Sequence, residues 1–186
     1  MNNLDLNKYE KMIRDEADSL LYDKGLVKLL SEYGRVEFAG SYPLKMMWKK
    51  DLDISLVAPD LTPDQFFILG GKIAQLLKPH SVYYRDTRVL EVNDRPKNSL
   101  YFGIFFDDWK IDLWVIDEQW WAESEKYMRN ILERLTEEKK RIILEIKKEF
   151  SNSTDYGKKY TSKLIYSSVL DGRVTSVREF KNLINN

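Results

Sequence analysis

The chain has 186 residues, 43% hydrophobic and 13% aromatic, with 30 lysines and arginines against 30 aspartates and glutamates. That is enough for one sizeable domain, or one domain with a small helical appendage, and it argues against disorder as the main state. A formal net charge of zero carries no polyanion-binding footprint over the whole surface. With no cysteine and a single histidine, His80, a disulfide framework and thiolate metal sites are excluded, and His-based zinc sites and Ser-His-Asp triads nearly so. Any metal must be held by oxygen ligands, which favours Mg²⁺ or Mn²⁺. The first residues lack a signal-peptide apolar core, and no apolar run approaches the ~20 residues that span a bilayer. The expectation is a cytoplasmic protein with no membrane partner.

In chain order, Met12, Ala17, Leu20, Leu21, Leu26, Leu29 and Leu30 recur at helical spacing and predict one or two helices ending near Gly34. "RVEFAG" predicts a short strand and "DLDISLVA" a second. Thr62, Pro63 and Gln65 then form a helix start with a capping box, and that helix stops before Pro79. Gly70-Gly71 inside it either weakens the helix or marks close packing. "SVYYRDTRVLEV", "SLYFGIFF" and "KIDLWVI" are rich in β-branched and aromatic residues and predict three more strands, the last two joined by a hairpin turn at "DDW". From Glu118 to Phe150 the pattern is helical, broken near Thr136. "SNSTDYGKK" has turn composition, and two short helices follow, the second capped by Ser176 and Glu179. The fold class is α/β (α+β): a mixed sheet with an N-terminal helix and a helical C-terminal half. Residues 1–117 form the core and 118–186 a helical C-terminal region.

Side chains at i and i+2 of a strand share a face. Asp51, Asp53, Ser55 and Val57 therefore lie together, with Leu52, Ile54 and Leu56 on the core side. Two carboxylates this close on one face repel, and a divalent cation between them reverses the sign of that term. In "KIDLWVI", Asp112 shares a face with Trp114 and Ile116 in a strand apolar on both faces, so its charge needs a partner. If the two strands are neighbours, three carboxylates converge, the inventory of a two-metal phosphoryl-transfer site. Gly40-Ser41 ends the first strand and offers a tight turn whose N–H groups and hydroxyl can receive phosphate oxygens. Asp107 and Asp108 compete for the third carboxylate position but stand in the hairpin turn, and Asp117 fits a helix cap. His80 fits a surface loop. Tyr101, Phe102, Phe105, Phe106, Trp120 and Trp121 fit core or helix-packing positions. The lysines of "EEKKRIILEIKKEF" fit a solvated helix face, with one of them or one of "GKKYTSK" a candidate to reach a triphosphate.

The strand ending in Gly40-Ser41, the Asp51-x-Asp53 strand and the later strand carrying Asp112 together resemble the DNA polymerase β-like nucleotidyltransferase superfamily, over residues 35–117. The resemblance implies that Gly40 and Ser41 hold the β- and γ-phosphates of a nucleoside triphosphate such as ATP. It implies that Asp51 and Asp53 bind the metals and that Asp53 bridges both. Asp112 completes the metal nearest the acceptor hydroxyl and helps deprotonate it, so that NMP is transferred and pyrophosphate leaves. Many members place Arg-Gly or Lys-Gly a few residues after Gly-Ser, where this chain has Pro43-Leu44-Lys45, and Ser or Thr before the first aspartate, where it has Lys50. Lys45, Lys49 and Lys50 are alternatives for the missing positive charge, or else solvated loop lysines; Lys50 is the nucleotide-binding candidate. The expected partners are an NTP and a small-molecule hydroxyl acceptor, an antibiotic among the options. Neutral charge and short length argue against an extended nucleic-acid surface. Two alternatives stand beside this: protein or RNA nucleotidylation, and an antitoxin or regulatory module of the same fold that acts by binding.

Overall fold

The computed structural model describes residues 3–89 and 96–185. The predicted N-terminal helical stretch comprises α1 (Asn3–Asp18), a π-helical turn (Ser19–Asp23) and α2 (Leu26–Ser31). Its buried stripe is Leu6, Ile13, Ala17, Leu20, Leu21, Leu26 and Leu30, so Ile13 takes the core position expected of Met12, which is 48% exposed. Then come β1 (Arg35–Ala39), β2 (Asp51–Val57), α3 (Pro63–Leu77), β3 (Ser81–Asp86), β4 (Leu100–Phe106) and β5 (Trp109–Ile116). The chain ends with α4 (Glu118–Arg134), α5 (Glu137–Phe150), α6 (Ser162–Leu170) and α7 (Val177–Asn185). The class is α+β, with a mixed five-stranded sheet in the order β1-β2-β5-β4-β3. The β2–β5 pair is parallel, and the other three pairs are antiparallel.

Local chemistry sets most boundaries. The Thr62 N–H donates to Gln65 Oε1 at 2.9 Å and the Gln65 N–H to Thr62 Oγ1 at 3.3 Å, the reciprocal box that starts α3. Gly70 marks close packing, since a Cβ there would stand 2.8 Å from the Phe102 ring, whereas Gly71 faces open space. Asp107-Asp108 is the two-residue hairpin turn between Phe106 and Trp109. Asp117 and Thr136 cap α4 and α5 by accepting the N–H groups of Trp120 and Lys139. At α7, Ser176 accepts the Glu179 N–H, but the Glu179 carboxylate turns to the N–H and hydroxyl of Thr175, so the expected box closes one residue earlier. Strand β3 ends at Asp86; residues 90–92 of the predicted strand lie outside the described residues.

The sheet is covered on both faces. Leu52, Ile54, Leu56, Ile111, Leu113 and Val115 pack with α1, α2 and α3. The expectation of one core face is therefore incomplete. Val57, Trp114 and Ile116, on the face of the aspartates, pack with Met128, Ile131, Ile143, Ile146, Ile165 and Phe180 of the C-terminal helices. The run of residues after 117 is thus the second layer of the sheet's own core, and Leu6 of α1 joins it. This explains why β5 is apolar on both faces apart from Lys110 and Asp112, and why the aspartate face of β2 ends in Val57. Among the described residues no helix is long and apolar enough to cross a membrane.

Thr62→Ala removes one half of the α3 capping box. We expect it to lower stability by about 1 kcal/mol, with an unchanged urea m-value, in equilibrium denaturation.

Candidate functional site

In the parallel β2–β5 pair, Asp53 stands opposite Asp112 and Asp51 opposite Lys110. Residues paired across strands share a face. Asp51, Asp53, Lys110 and Asp112 therefore form one block on the face roofed by the C-terminal helices. Ala39 of β1 flanks Asp53, and the chain then turns at Gly40 with φ +69°. A Cβ on Gly40 would lie 2.1 Å from Asp53 Oδ2. Only glycine allows both the turn and this approach of backbone to carboxylate. The turn is closed by the Met46 N–H on Ser41 O at 3.0 Å and tied to α1 by the Tyr42 hydroxyl on Asp18 Oδ1 at 2.5 Å. Ser41 is half-buried at the turn's start.

Asp112 has the partners its burial requires. Gly103 stands opposite it on β4. The Tyr101 side chain folds across Gly103, where a Cβ would stand 2.4 Å from the Tyr101 hydroxyl, and that hydroxyl donates to Asp112 Oδ1 at 2.5 Å. The Lys110 ammonium donates to Asp112 Oδ2. It also lies 3.6 Å from Asp51 Oδ1, an ion pair beyond hydrogen-bond reach. Tyr101, expected among packing aromatics, is thus a member of the site, and glycine opposite the aspartate is the sequence signal for it. Lys110 carries a plainer signal, since it sits two residues from Asp112 on the same strand face.

A second cation comes from the helical layer. Lys147 of α5 is 1% exposed, and its ammonium donates to Met46 O and to the Tyr166 hydroxyl, each at 2.7 Å. It thereby joins the end of the Gly40–Met46 turn to α6. The "EEKKRIILEIKKEF" run does carry a charged face, with Arg141 on Glu145 at 2.7 Å. Lys147 instead follows Ile143 by four residues and precedes Phe150 by three, on the buried stripe. That lysine at an apolar helical position was its signal.

Burial pushes the Asp53 carboxyl up from its ordinary 3.8 to about 7, with the Asp51 and Asp112 charges adding to the rise and Lys110 and Lys147 opposing it. Burial likewise raises Asp51, against the pull of Lys110. Burial opposes the charge on Lys110, but Asp51 and Asp112 outweigh it and raise its pKa. Lys147 is lowered from 10.5 to about 7 by burial, with Asp53 and Asp51 supporting its charge. The site therefore holds three carboxylates whose mutual repulsion is only partly offset by two lysines.

Residues of the block line two cavities, Asp53 one and Asp51 with Lys110 the other. One, of about 450 Å³, has Gly40, Asp53 and Ser55 at its floor and Trp114, Trp120, Tyr127 and Tyr166 among its walls, with Lys163 at its edge. The other, an open trough of about 480 Å³, is bordered by Tyr9, Lys49, Lys50, Asp51, Lys110 and Tyr156. Lys50 borders the trough with its ammonium on Glu16 at 2.6 Å and Asp108 at 3.0 Å. Lys49 lies over the Tyr156 ring at 4.6 Å, and Lys45 is exposed in the turn. Lys110 is thus the cation paired directly to the carboxylates, while Lys147 supports the charge of Asp53 and Lys49 that of Asp51 through space. His80 is exposed, as expected.

Asp51 Oδ1 is buried and has no hydrogen-bond partner, an acceptor suited to a cation. Asp51 and Asp53 are therefore the side chains that fit a divalent metal. Among the described residues no group of three or more acidic, histidine or cysteine side chains is arranged to hold a metal ion. Lys110 stands between Asp51 and Asp112, and both oxygens of Asp112 are engaged. A scan against protein-family models and a search of the curated proteins each find no match.

The titrations have opposite signs. Between pH about 4 and about 7 the folded chain keeps a proton on Asp53 that the unfolded chain releases, so stability falls as pH rises through that window. Between pH about 7 and about 10.5 the unfolded chain binds a proton that folded Lys147 lacks, so stability rises with pH. Urea denaturation of the metal-free protein across pH should show both slopes. Asp53→Asn should flatten the acid-side one, and Lys147→Met the alkaline-side one.

Proposed function

We propose that the chain is a metal-dependent nucleotidyltransferase, moving NMP from a nucleoside triphosphate to a hydroxyl of a small molecule and releasing pyrophosphate. The observation that carries this reading is the β2–β5 register, which sets Asp53 against Asp112 with Asp51 beside them and the Gly40 turn against Asp53. The cavity volume is that of a ligand pocket. Its aromatic walls suit a nucleobase, the Gly40-Ser41 turn suits phosphate oxygens, and Lys163 adds a cation at its edge. The trough lined by Asp51 and Lys110 offers an acceptor a place of its own beside the carboxylates. Asp51 and Asp53 hold Mg²⁺ or Mn²⁺, which supplies charge neutralisation for the triphosphate. Asp112 orients the acceptor hydroxyl and takes its proton. The acceptor oxygen then bonds to the α-phosphorus as the bond to the pyrophosphate oxygen breaks.

One observation favours the reading in which this fold acts by binding: Tyr101 and Lys110 already occupy both Asp112 oxygens. Under that reading nucleotide is bound and no acceptor is modified. The two are separated by supplying α-labelled NTPs with Mg²⁺ or Mn²⁺ and offering hydroxyl-bearing small molecules, RNA and protein as acceptors. Label in a small molecule supports the first reading. Label in RNA or protein alone moves the acceptor class, and tight nucleotide binding with no labelled product supports the second.

Metal with a non-hydrolysable NTP should raise the melting temperature of the wild type, and Asp53→Asn should abolish the rise. An unchanged rise in that variant places the nucleotide elsewhere. Asp112→Ala should cut transfer strongly and leave NTP affinity within about tenfold, on the order of 1.4 kcal/mol. It leaves the Tyr101 hydroxyl and Lys110 without this partner. Because Lys110 is 37% exposed, the expected stability loss is only about 1–2 kcal/mol.

A further inference from the structure

Resting on the reading above, we propose that Lys110 serves as the acceptor-side cation of the carboxylate centre, so that the centre works with one divalent ion, on Asp51 and Asp53, where the two-metal arrangement would use two. Strand geometry fixes Lys110 two residues before Asp112 on the same face and opposite Asp51 across the parallel pair. Its ammonium donates to Asp112 Oδ2 and stands 3.6 Å from Asp51 Oδ1, so it already brings a positive charge to the carboxylate that would complete an acceptor-side metal. Asp112 Oδ1 is taken by the Tyr101 hydroxyl at 2.5 Å, held there across Gly103. Both Asp112 oxygens are thus satisfied by protein donors, and its side chain is only 10% exposed. The situation at the other end of the block is the reverse. Asp51 Oδ1 is buried with no hydrogen-bond partner, and Asp53 packs against the Gly40 backbone and lines the aromatic-walled cavity. Hydrogen-bond demand is therefore met at Asp112 and unmet at Asp51 Oδ1, which Lys110 approaches only as a 3.6 Å ion pair.

Charge points the same way. Asp51, Asp53 and Asp112 bring three negative charges, and Lys110 returns one positive charge next to Asp112. A divalent ion bound by Asp112 would sit within a few ångströms of the Lys110 ammonium, and like charges that close repel strongly outside bulk water. One ion on Asp51 and Asp53 also has Lys110 near it, 3.6 Å from Asp51 Oδ1, but there the ammonium is beyond hydrogen-bond reach. An ion on Asp112 would instead have to displace the Lys110 hydrogen bond to Oδ2. Lys147 points its ammonium to Met46 O and Tyr166. A lysine in this role is permanently present and need not be recruited from solution. It differs from a metal in that it cannot lower the pKa of a bound hydroxyl by coordination, and it leaves the acceptor proton to Asp112.

The test is Mn²⁺ titration by electron paramagnetic resonance on the full chain, in saturating α,β-methylene ATP. The wild type should bind one Mn²⁺. Lys110→Met should bind two, the second at least tenfold tighter than any second ion on the wild type. Lys110→Arg, which keeps the positive charge, should return to one. Two ions of similar affinity on the wild type would overturn the role of Lys110 and leave the transfer reading standing, provided Asp53→Asn loses them. One ion on both wild type and Lys110→Met would also overturn it. No Mn²⁺ or nucleotide bound to the wild type would sink the inference together with the reading it rests on. Should Lys110→Met fail to fold, Lys110→Gln takes its place: two ions on it support the role, and one ion, as on the wild type, overturns it.

Discussion

The parallel pairing of β2 with β5 is the constraint on which the site depends. A shift of one residue in that register would send Asp112 to the face of Leu113 and pair Asp53 with an apolar side chain. What holds the register is apolar on both faces: Leu52, Ile54 and Leu56 beneath, and Val57, Trp114 and Ile116 above. A parallel pair also requires a long crossover, supplied here by α3, β3 and β4. The charged block occupies the N-terminal halves of β2 and β5. Packing therefore fixes the position of groups that electrostatics alone would drive apart.

Three carboxylates on one sheet face are costly, and the protein offsets that cost unevenly. Asp112, the most enclosed by its neighbours, has a hydroxyl and an ammonium on its two oxygens. Asp51 keeps one oxygen unsatisfied, and Asp53 rests on a glycine turn with its nearest lysines acting through space. Lys147 pays part of this cost from the opposite layer. A lone ammonium buried in an apolar helix interface would be strongly unfavourable, and its place is explained by the Met46 carbonyl, the Tyr166 hydroxyl and the aspartates it faces. Residues after 117 are thus joined to the site by a polar contact as well as by the second core.

The legible part of this protein in its sequence is the part governed by local rules. Strand alternation placed Asp51 and Asp53 together and Asp112 on one face of its own strand. The Thr62–Gln65 box, the Asp107-Asp108 turn and the Asp117 and Thr136 caps follow from side chains bonding to neighbouring backbone. What escaped depends on residues far apart in the chain. Tyr101 reaches Asp112 only because Gly103 is its cross-strand partner, and Lys147 lies 101 positions from the Met46 carbonyl it binds. The second covered face was hidden for the same reason: periodicity shows that β5 is apolar on both sides apart from its charged residues but not which helices lie above it. Lys110 is the exception. Its spacing from Asp112 was available, yet a lysine near a strand start reads as solvated until its neighbour across the pair is known to be Asp51.

That neighbour changes how the two cavities relate. Asp53 lines the aromatic cavity, while Asp51 and Lys110 line the trough, so the block contributes different chemistry to each. The aromatic side is walled by α4 and α6, through Trp120, Tyr127, Lys163 and Tyr166. The trough is walled by α1, through Tyr9, and by the segment carrying Tyr156 and Gly157. Under the proposed reading, the sheet supplies the chemistry common to any acceptor, whereas choice of ligand lies with elements outside it. Substitutions in α4 and α6 would then alter the nucleotide side, and substitutions around Tyr9 and Tyr156 the acceptor side, without touching the β2–β5 register. A centre with Lys110 as fixed cation adds a further asymmetry. The nucleotide side remains dependent on a divalent ion from solution, and the acceptor side carries its positive charge in the chain itself.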